Sequence, residues 1–262
     1  MTTPATTATG KAPLLRGATR LGQEQVVGII TVLLLIVFAL ALPGFATTQN
    51  LLGLMRSIAI LGILGLGMGV VVISRGIDLS EIALMACPWA IALIAIERGV
   101  PSFWAAMLAL VIAVGVGALN GLMIAFVEAP ALFVTLATTL AIFGVAYWIA
   151  PVYVVYATHA SPALLFFGQA SVLGVPMPIF VFAAAALGLH GFLSGTSIGR
   201  FIYAQGDNPE AARLSGIALR PLIVMEYGLV AGFAWLAQHA DEHRRCRYQS
   251  LRRDLGGGAR RH

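Results

Sequence analysis

Seven long apolar runs constrain this chain more than any other feature of its sequence. A helix needs about 20 mainly apolar residues to cross a bilayer. Only 10% of the 262 residues are charged, against roughly 25% in a soluble domain, so the chain could not cover itself with a polar surface. The sequence predicts an all-α integral membrane protein, a polytopic transmembrane helix bundle of about seven spans. The runs lie at residues 26–43, 51–74, 82–96, 103–127, 131–150, 176–193 and 221–237.

The positions of lysine and arginine predict how the bundle is oriented, because short cytoplasmic loops carry an excess of these residues. With the N-terminus inside, the cytoplasmic segments hold seven of them, and the outer loops hold only Arg98. We therefore expect a multi-pass protein with a cytoplasmic N-terminal segment (1–25), a transmembrane domain (26–237) and a cytoplasmic loop at 194–220. The seven are Lys11, Arg16, Arg20, Arg75, Arg200, Arg213 and Arg220.

The basic character of the chain is concentrated in its tail. The isoelectric point is about 9.7, but residues 239–262 hold seven arginines, whereas residues 1–238 have nearly balanced charges. Nucleic-acid binding needs basic residues clustered on a folded surface, so we expect no nucleic-acid partner. After seven spans the aberrant Arg-rich tail (238–262) would lie outside the cell, which conflicts with the charge rule that orients the other loops.

The sequence offers no motif for metal-assisted or ATP-dependent chemistry. It contains no HExxH, no CxxC and no Walker GxxxxGK[ST] loop. Its two cysteines, Cys87 and Cys246, show no spacing for a metal site or a disulfide framework. We expect no catalytic residues, no metal and no cofactor in this chain, and we do not expect it to be an enzyme.

Ionisable residues at membrane depth are the first candidates for function. Asp78 and Glu81 lie at the boundary between the second and third runs. Arg75 is close enough in sequence to Asp78 to form an ion pair at the membrane surface. Glu226 lies five residues inside the last run. Two interpretations stay open, a surface ion pair or carboxyl groups that couple transport to an ion gradient.

Other residues within the apolar runs predict contacts between helices. Asn120 and Thr135 are polar, and we expect each to form a hydrogen bond to a neighbouring helix. Two pairs of glycines have the spacing that lets helix backbones approach closely in lipid. The pairs are Gly65 with Gly69 and Gly117 with Gly121.

The longest polar segment before the tail contains a helix-start signal. Asn208 can cap a helix, Pro209 suits its first position and Glu210 favours the positive end of its dipole. Gly216 can end that helix. A short capped helix between two spans is what a membrane subunit needs to dock on a separate motor protein. An ordinary amphipathic loop is the alternative.

Several stretches resemble one known family in matching order. The segment GRFIYAQGDNPEAARLSGI, from Gly199 to Ile217, closely resembles the cytoplasmic coupling loop of ribose/xylose/galactose-type permeases of ABC importers. GIDLS, from Gly76 to Ser80, resembles the motif after the second span of that family. The NG pair at 120–121 and the FVTLAT run at 133–138 also match.

The resemblance implies a permease subunit of an ATP-driven monosaccharide importer in a bacterial inner membrane. Its partners would be a second permease chain, a periplasmic sugar-binding protein and a cytoplasmic ATP-binding subunit that holds the ATP. The coupling loop to that ATPase would contain Gly199, Arg200, Gly206, Asn208, Pro209, Glu210, Ala211, Ala212, Arg213 and Gly216. Possible pathway or gating residues would be Gly76, Asp78, Ser80, Asn120 and Thr135.

The resemblance fades beyond about Gly232, where the composition turns from apolar to Arg-rich. Members of the family continue through further spans. We therefore hypothesise a frameshift or premature ending near residue 237. Two other functions remain as alternatives, a gradient-driven secondary transporter or channel and a non-functional truncated fragment.

Overall fold

The computed structural model describes residues 22–149, 161, 166, 168 and 170–241 of the chain. Seven long helices in this part lie at the seven apolar runs, which confirms the predicted helix bundle. Two shorter helices, α7 (Ser197–Asp207) and α8 (Pro209–Leu214), lie between the last two long ones. The long helices are α1 (Gln23–Ala41), α2 (Thr48–Ile73), α3 (Glu81–Glu97), α4 (Ser102–Phe126), α5 (Ala131–Ile149), α6 (Met177–Gly195) and α9 (Leu219–Asp241).

Six of these helices are long and apolar enough to cross a membrane. The exception among the long helices of the described chain is α3, whose 17 residues span only about 25 Å. It contains Pro88 within the helix, yet much of it is buried, including Leu84, Trp89 and Leu93. The third predicted span is therefore a short helix held inside the bundle.

Helix α9 lies at the centre of the packed core. Ala231, Ala234 and Ala237 are fully buried, and their spacing of three residues places them on one face of the helix. The same helix stacks Trp235 on Trp89 of α3, with ring centroids 6.0 Å apart. Small residues on this face therefore let α9 pack closely against its neighbours at several positions along its length.

Helices α4 and α9 approach each other closely through Gly117 and Gly121. A Cβ atom on Gly117 would lie 2.5 Å from the carbonyl oxygen of Tyr227, and one on Gly121 would lie 2.6 Å from the Cα of Val224. Any larger side chain would push the helices apart. The prediction that this glycine pair mediates helix packing is confirmed.

The second glycine pair behaves differently. A Cβ atom on Gly65 or Gly69 would meet no atom within 4 Å, so the predicted close packing at this pair is wrong for the described part of the chain. Gly67, between them, lies on the opposite side of α2 and approaches Phe233 of α9, whose Cβ would be 2.9 Å from an added Cβ.

A two-residue β-hairpin leads into α6. Its strands, β1 (Ser171–Val172) and β2 (Val175–Pro176), are antiparallel. Leu173 and Gly174 connect them with φ of 54° and 81°, and positive φ at both central residues is the signature of a type I′ turn.

The described residues from 22 to 51 belong to a compact unit of their own. In it α1 is an apolar helix with no buried residue. Phe38 packs against Phe45 with ring centroids 5.8 Å apart. The Asn50 side-chain amide donates to the Phe45 carbonyl oxygen over 2.8 Å, which orders the turn before α2.

Candidate functional site

The polar segment between α6 and α9 folds as a helix pair, which we call the coupling segment (197–217). The predicted short helix is confirmed. The Asn208 side-chain oxygen accepts from the backbone N–H groups of Glu210 and Ala211, each over 3.1 Å, and Pro209 begins α8. These bonds satisfy N–H groups that the first turn of a helix leaves without partners.

The other end of α8 stops as predicted at Gly216. This glycine has a φ of 83°, a conformation that residues with a Cβ rarely adopt. Its N–H donates to the Arg213 carbonyl, and the Ile217 N–H donates to the Ala212 carbonyl. This pair of bonds is a Schellman motif, which ends the helix and turns the chain toward α9.

Helix α7, which the sequence did not predict, precedes α8 directly. The Thr196 side chain caps its start by accepting from the Gly199 N–H over 3.1 Å. Two glycines fix its position. A Cβ atom would lie 2.1 Å from the Leu193 carbonyl oxygen if placed on Gly199, and 1.9 Å from the Ile73 carbonyl oxygen if placed on Gly206. Helix α7 therefore rests directly on the backbone ends of α6 and α2.

Side chains of α7 attach it further to the bundle. Ile202 is fully buried in a cluster with Val70 of α2 and Leu222 of α9. The buried Gln205 amide donates to a carboxyl oxygen of Glu226 in α9 over 3.4 Å. Sequence reasoning found Glu226 without finding its partner, because residues 21 positions apart meet here only through the fold.

The ten predicted coupling residues fall into two groups by exposure. Gly199 and Ala212 are buried and Gly206 is half-buried, so they hold the coupling segment in place. Sequence reasoning missed Leu214, a leucine that is 81% exposed at the end of α8. Its side chain is the one large apolar group on the exposed side of α8. The other seven predicted residues are exposed: Arg200, Asn208, Pro209, Glu210, Ala211, Arg213 and Gly216.

The predicted pathway residues of the α2–α3 loop form a buried polar cluster. Asp78 and Ser80 are fully buried. The Asp78 Oδ1 accepts from the Ser80 backbone N–H over 2.8 Å and from the Ser80 hydroxyl over 2.6 Å. The Asn120 amide of α4 donates to the Ser80 Oγ over 3.0 Å, and the Thr138 hydroxyl of α5 donates to the Asn120 Oδ1 over 2.6 Å. We call Asp78, Ser80, Asn120 and Thr138 the buried polar cluster.

This cluster joins three helices by side-chain hydrogen bonds. The interhelical role predicted for Asn120 is confirmed. The same role predicted for Thr135 is wrong, because its hydroxyl donates to the Ala131 carbonyl of its own helix over 2.9 Å. Thr138, three residues on, makes the contact between helices instead. A pattern of several threonines on one apolar helix could not indicate which of them faces Asn120.

Of the two interpretations left open for Arg75 and Asp78, the surface ion pair is wrong. The Arg75 guanidinium donates to the Asp207 carbonyl oxygen of the coupling segment over 2.6 Å, while Asp78 turns into the bundle. Burial raises the pKa of Asp78 above its ordinary 3.8, although the bonds from Ser80 oppose that shift. The pathway candidate Gly76 lies in the same loop, where an added Cβ would be 2.6 Å from the Val71 side chain.

Two further carboxyl groups are buried near these elements. Glu81 is 4% exposed and Glu226 is 1% exposed. One carboxyl oxygen of each has no hydrogen-bond partner, and the same holds for Asp78 Oδ2. Within the part of the chain that the structure describes, no group of three or more histidine, cysteine or acidic residues is placed to hold a metal ion.

An apolar cavity of about 360 Å³ opens between α3, α4 and α5. Its walls are mostly aliphatic, and they include Cys87 of α3. Asn120 and Thr138 of the buried polar cluster also line it. The cavity thus lies directly beside the hydrogen bonds that join the three helices.

Residues 50–238 match the sequence profile of a family described as the permease component of the branched-chain amino acid transport system. The ribose import permease protein of Escherichia coli (strain K12) is 33% identical over 225 residues, which cover 82% of this chain and 67% of that protein. The ribose import permease protein of Bacillus subtilis (strain 168) is 32% identical over 205 residues, covering 78% and 64%. The L-arabinose transport system permease protein of Escherichia coli (strain K12) is 31% identical over 219 residues, covering 79% and 63%.

The chain therefore spans about two thirds of the length of these relatives. No solved structure matches it significantly.

Proposed function

Because this chain belongs to the family of transport-system permease components that matches residues 50–238, we propose that it is the membrane subunit of an ATP-driven sugar importer. The resemblance found in the sequence is thereby confirmed at the level of the family. The importer's energy source, its sugar and its assembly are our proposals. The observation that carries the proposed link to an ATPase is the coupling segment, a capped helix pair that rests on three membrane helices and exposes α8.

The exposed side of α8 is the proposed docking surface for a cytoplasmic ATP-binding subunit. Glu210, Ala211, Arg213 and Leu214 are exposed there, and they combine two charges of opposite sign with one large apolar side chain. Such a surface suits a specific protein contact, in which one apolar anchor is surrounded by polar groups. The tight seat of α7 on α2 and α6 would let a push on α8 move these helices as a rigid body.

The proposed orientation places the coupling segment and the N-terminus in the cytoplasm. The loops at 74–80 and 127–130 lie at the same end of the bundle, as the bond from Arg75 to the Asp207 carbonyl and the ion pair between Arg220 and Glu128 show. This end carries four arginines, and their excess supports a cytoplasmic location. A periplasmic sugar-binding protein would deliver substrate at the opposite end, and a second permease chain would complete the pathway.

The proposed cargo is a monosaccharide, ribose or a related sugar. The relatives that name a cargo are a ribose and an L-arabinose permease, whereas the family description names branched-chain amino acids. We favour the sugar because both named relatives cover about four fifths of this chain. The two classes of cargo can be separated by competition in one uptake assay.

A gradient-driven transporter is the second candidate function. The buried carboxyl groups of Asp78, Glu81 and Glu226 favour it, because each has an oxygen without a hydrogen-bond partner, and ionisable groups inside a membrane protein commonly serve ion pathways. It predicts uptake that depends on a proton or sodium gradient and needs no ATPase.

The test is reconstitution of the full chain in proteoliposomes with a candidate ATPase and sugar-binding protein. We expect uptake of labelled ribose or arabinose that requires ATP, persists when an ionophore collapses the ion gradients, and is not reduced by excess leucine. Uptake abolished by the ionophore but independent of ATP would support the gradient-driven transporter instead. If the chain inserts and folds but neither condition supports uptake, the non-functional alternative holds.

A further inference from the structure

The α2–α3 loop (74–80) contacts the coupling segment at one end and contributes Asp78 and Ser80 to the buried polar cluster at the other. At one end Arg75 donates to the Asp207 carbonyl of α7 over 2.6 Å. At the other end Ser80 accepts from the Asn120 amide of α4 over 3.0 Å. Arg75 and Ser80 are only five positions apart in the sequence, so the short loop between them can absorb little movement of either end.

The contact with the coupling segment is rigid and strained. Gly206 lies so close to the end of α2 that an added Cβ would be 1.9 Å from the Ile73 carbonyl oxygen. Arg75 itself has a φ of 66°, which is uncommon for a residue with a long side chain. Backbone strain of this kind is kept where the surrounding structure demands it. Here the strained conformation brings the guanidinium to the Asp207 carbonyl.

The inner part of the loop is held by other helices at successive residues. The Tyr227 hydroxyl of α9 donates to the Ile77 carbonyl over 3.2 Å, and the Thr139 hydroxyl of α5 donates to the Leu79 carbonyl over 3.0 Å. Asp78, between them, accepts two bonds from Ser80. The loop is therefore fixed to α5 and α9 and, through Ser80, to α4.

We propose that the α2–α3 loop transmits movement of the coupling segment to the buried polar cluster, and that Arg75 is the positioning residue that attaches the loop to that segment. The proposal rests on the proposed function in one respect, because the movement is supplied by an ATPase that docks on α8. When α8 is displaced, the loop moves with it, because Arg75 is bonded to the Asp207 carbonyl and Gly206 packs against Ile73 at the end of α2. The hydrogen bonds that Ser80 and Asn120 make between α3, α4 and α5 then change, and so does the cavity that these helices enclose.

The test uses variants of Arg75 in the full chain. Arg75→Gly removes the guanidinium while glycine adopts the positive φ without strain. Arg75→Lys keeps a cationic donor and serves as the conservative variant. Arg98→Ala is the matched control, because Arg98 is an exposed arginine just after the end of α3 and belongs to neither the coupling segment nor the buried polar cluster.

The first readout needs no partner protein. Cys87 is 6% exposed and lines the cavity beside Asn120 and Thr138. In a Cys246→Ser background in nanodiscs, its labelling by a membrane-permeant maleimide reports the tightness of the α3–α4–α5 junction. We expect Arg75→Gly to speed labelling about fivefold or more, the lower end of typical coupling between sites, with Arg75→Lys close to wild type and Arg98→Ala unchanged. An unchanged rate in Arg75→Gly would overturn the proposal.

The second readout is the number of sugar molecules transported per ATP hydrolysed in proteoliposomes with the ATPase and the binding protein. We expect Arg75→Gly to lower this ratio at least fivefold while ATP hydrolysis continues, and Arg75→Lys to restore it. Transport and hydrolysis that fall together would indicate a merely structural role and overturn the proposal. If the wild-type chain shows no ATP-dependent uptake, the proposed function fails, and the Cys87 labelling alone decides whether the link exists.

Discussion

Replacing Gly206 with alanine would insert a single methyl group between α7 and the end of α2. The added Cβ would lie 1.9 Å from the Ile73 carbonyl oxygen, whereas ordinary van der Waals contact begins at 3.4 Å. The two backbones must therefore separate by about 1.5 Å. Neither side of this contact is a flexible side chain that could move aside, because Ile73 presents its backbone. Overpacking of this kind costs about 1–3 kcal/mol.

This free-energy cost weakens the attachment of α7 to its neighbours rather than the stability of the whole bundle. Separation would also weaken the burial of Ile202 and the bond from Gln205 to Glu226, which lie on the same helix. A loss of 1–3 kcal/mol corresponds to opening that is about 5 to 150 times more frequent. We expect amide hydrogen exchange of residues 200–207 in nanodiscs to accelerate by a factor in this range, since exchange reports such local opening.

The matched control is Gly191→Ala in α6, where an added Cβ would meet nothing within 4 Å. That substitution should leave exchange in α7 unchanged. If Gly206→Ala also changed exchange by less than twofold, the backbone contact would be compliant, and the rigid seat on which we base the transmission of movement would be refuted.

Three other substitutions test separate parts of the structure. Gly117→Ala should lower the free energy of unfolding by about 1–3 kcal/mol through overpacking against Tyr227, measured by thermal unfolding. Gly115→Ala should not, because its added Cβ would meet nothing within 4 Å. Leu214→Asp should weaken ATPase binding about tenfold, the loss of a typical interface anchor. Leu173→Asp is the control, because Leu173 is 98% exposed at the tip of the hairpin, and it should leave the affinity unchanged. An equal loss of affinity in both variants would contradict the docking surface. Burial raises the pKa of Asp78 above 3.8, so the folded state favours the protonated carboxyl group. The stabilisation that this protonation provides is lost as pH rises through the folded-state pKa. As pH is raised from about 4, the melting temperature of the wild type should therefore fall relative to that of Asp78→Asn. Parallel curves of melting temperature against pH would show that the protonation of Asp78 is not linked to folding.

Local features of the sequence were enough to predict the class of fold and the position of the coupling segment. Apolar runs of about 20 residues have few alternatives to membrane helices, because backbone polar groups must be satisfied within the segment. The short helix α8 was equally predictable, since Asn208, Pro209 and Gly216 each act through local backbone geometry. Contacts at short sequence separation need no knowledge of the tertiary fold.

Tertiary structure decided which partners the polar residues take. One open interpretation paired Arg75 with Asp78, three residues away, but Arg75 donates to the Asp207 carbonyl, 132 residues away. Thr138 rather than Thr135 bonds Asn120. Gly117 and Gly121 have the same spacing as Gly65 and Gly69, yet only the first pair meets a helix of the described chain. Spacing along one helix fixes which residues share a face, but only the packing of the other helices determines what that face meets.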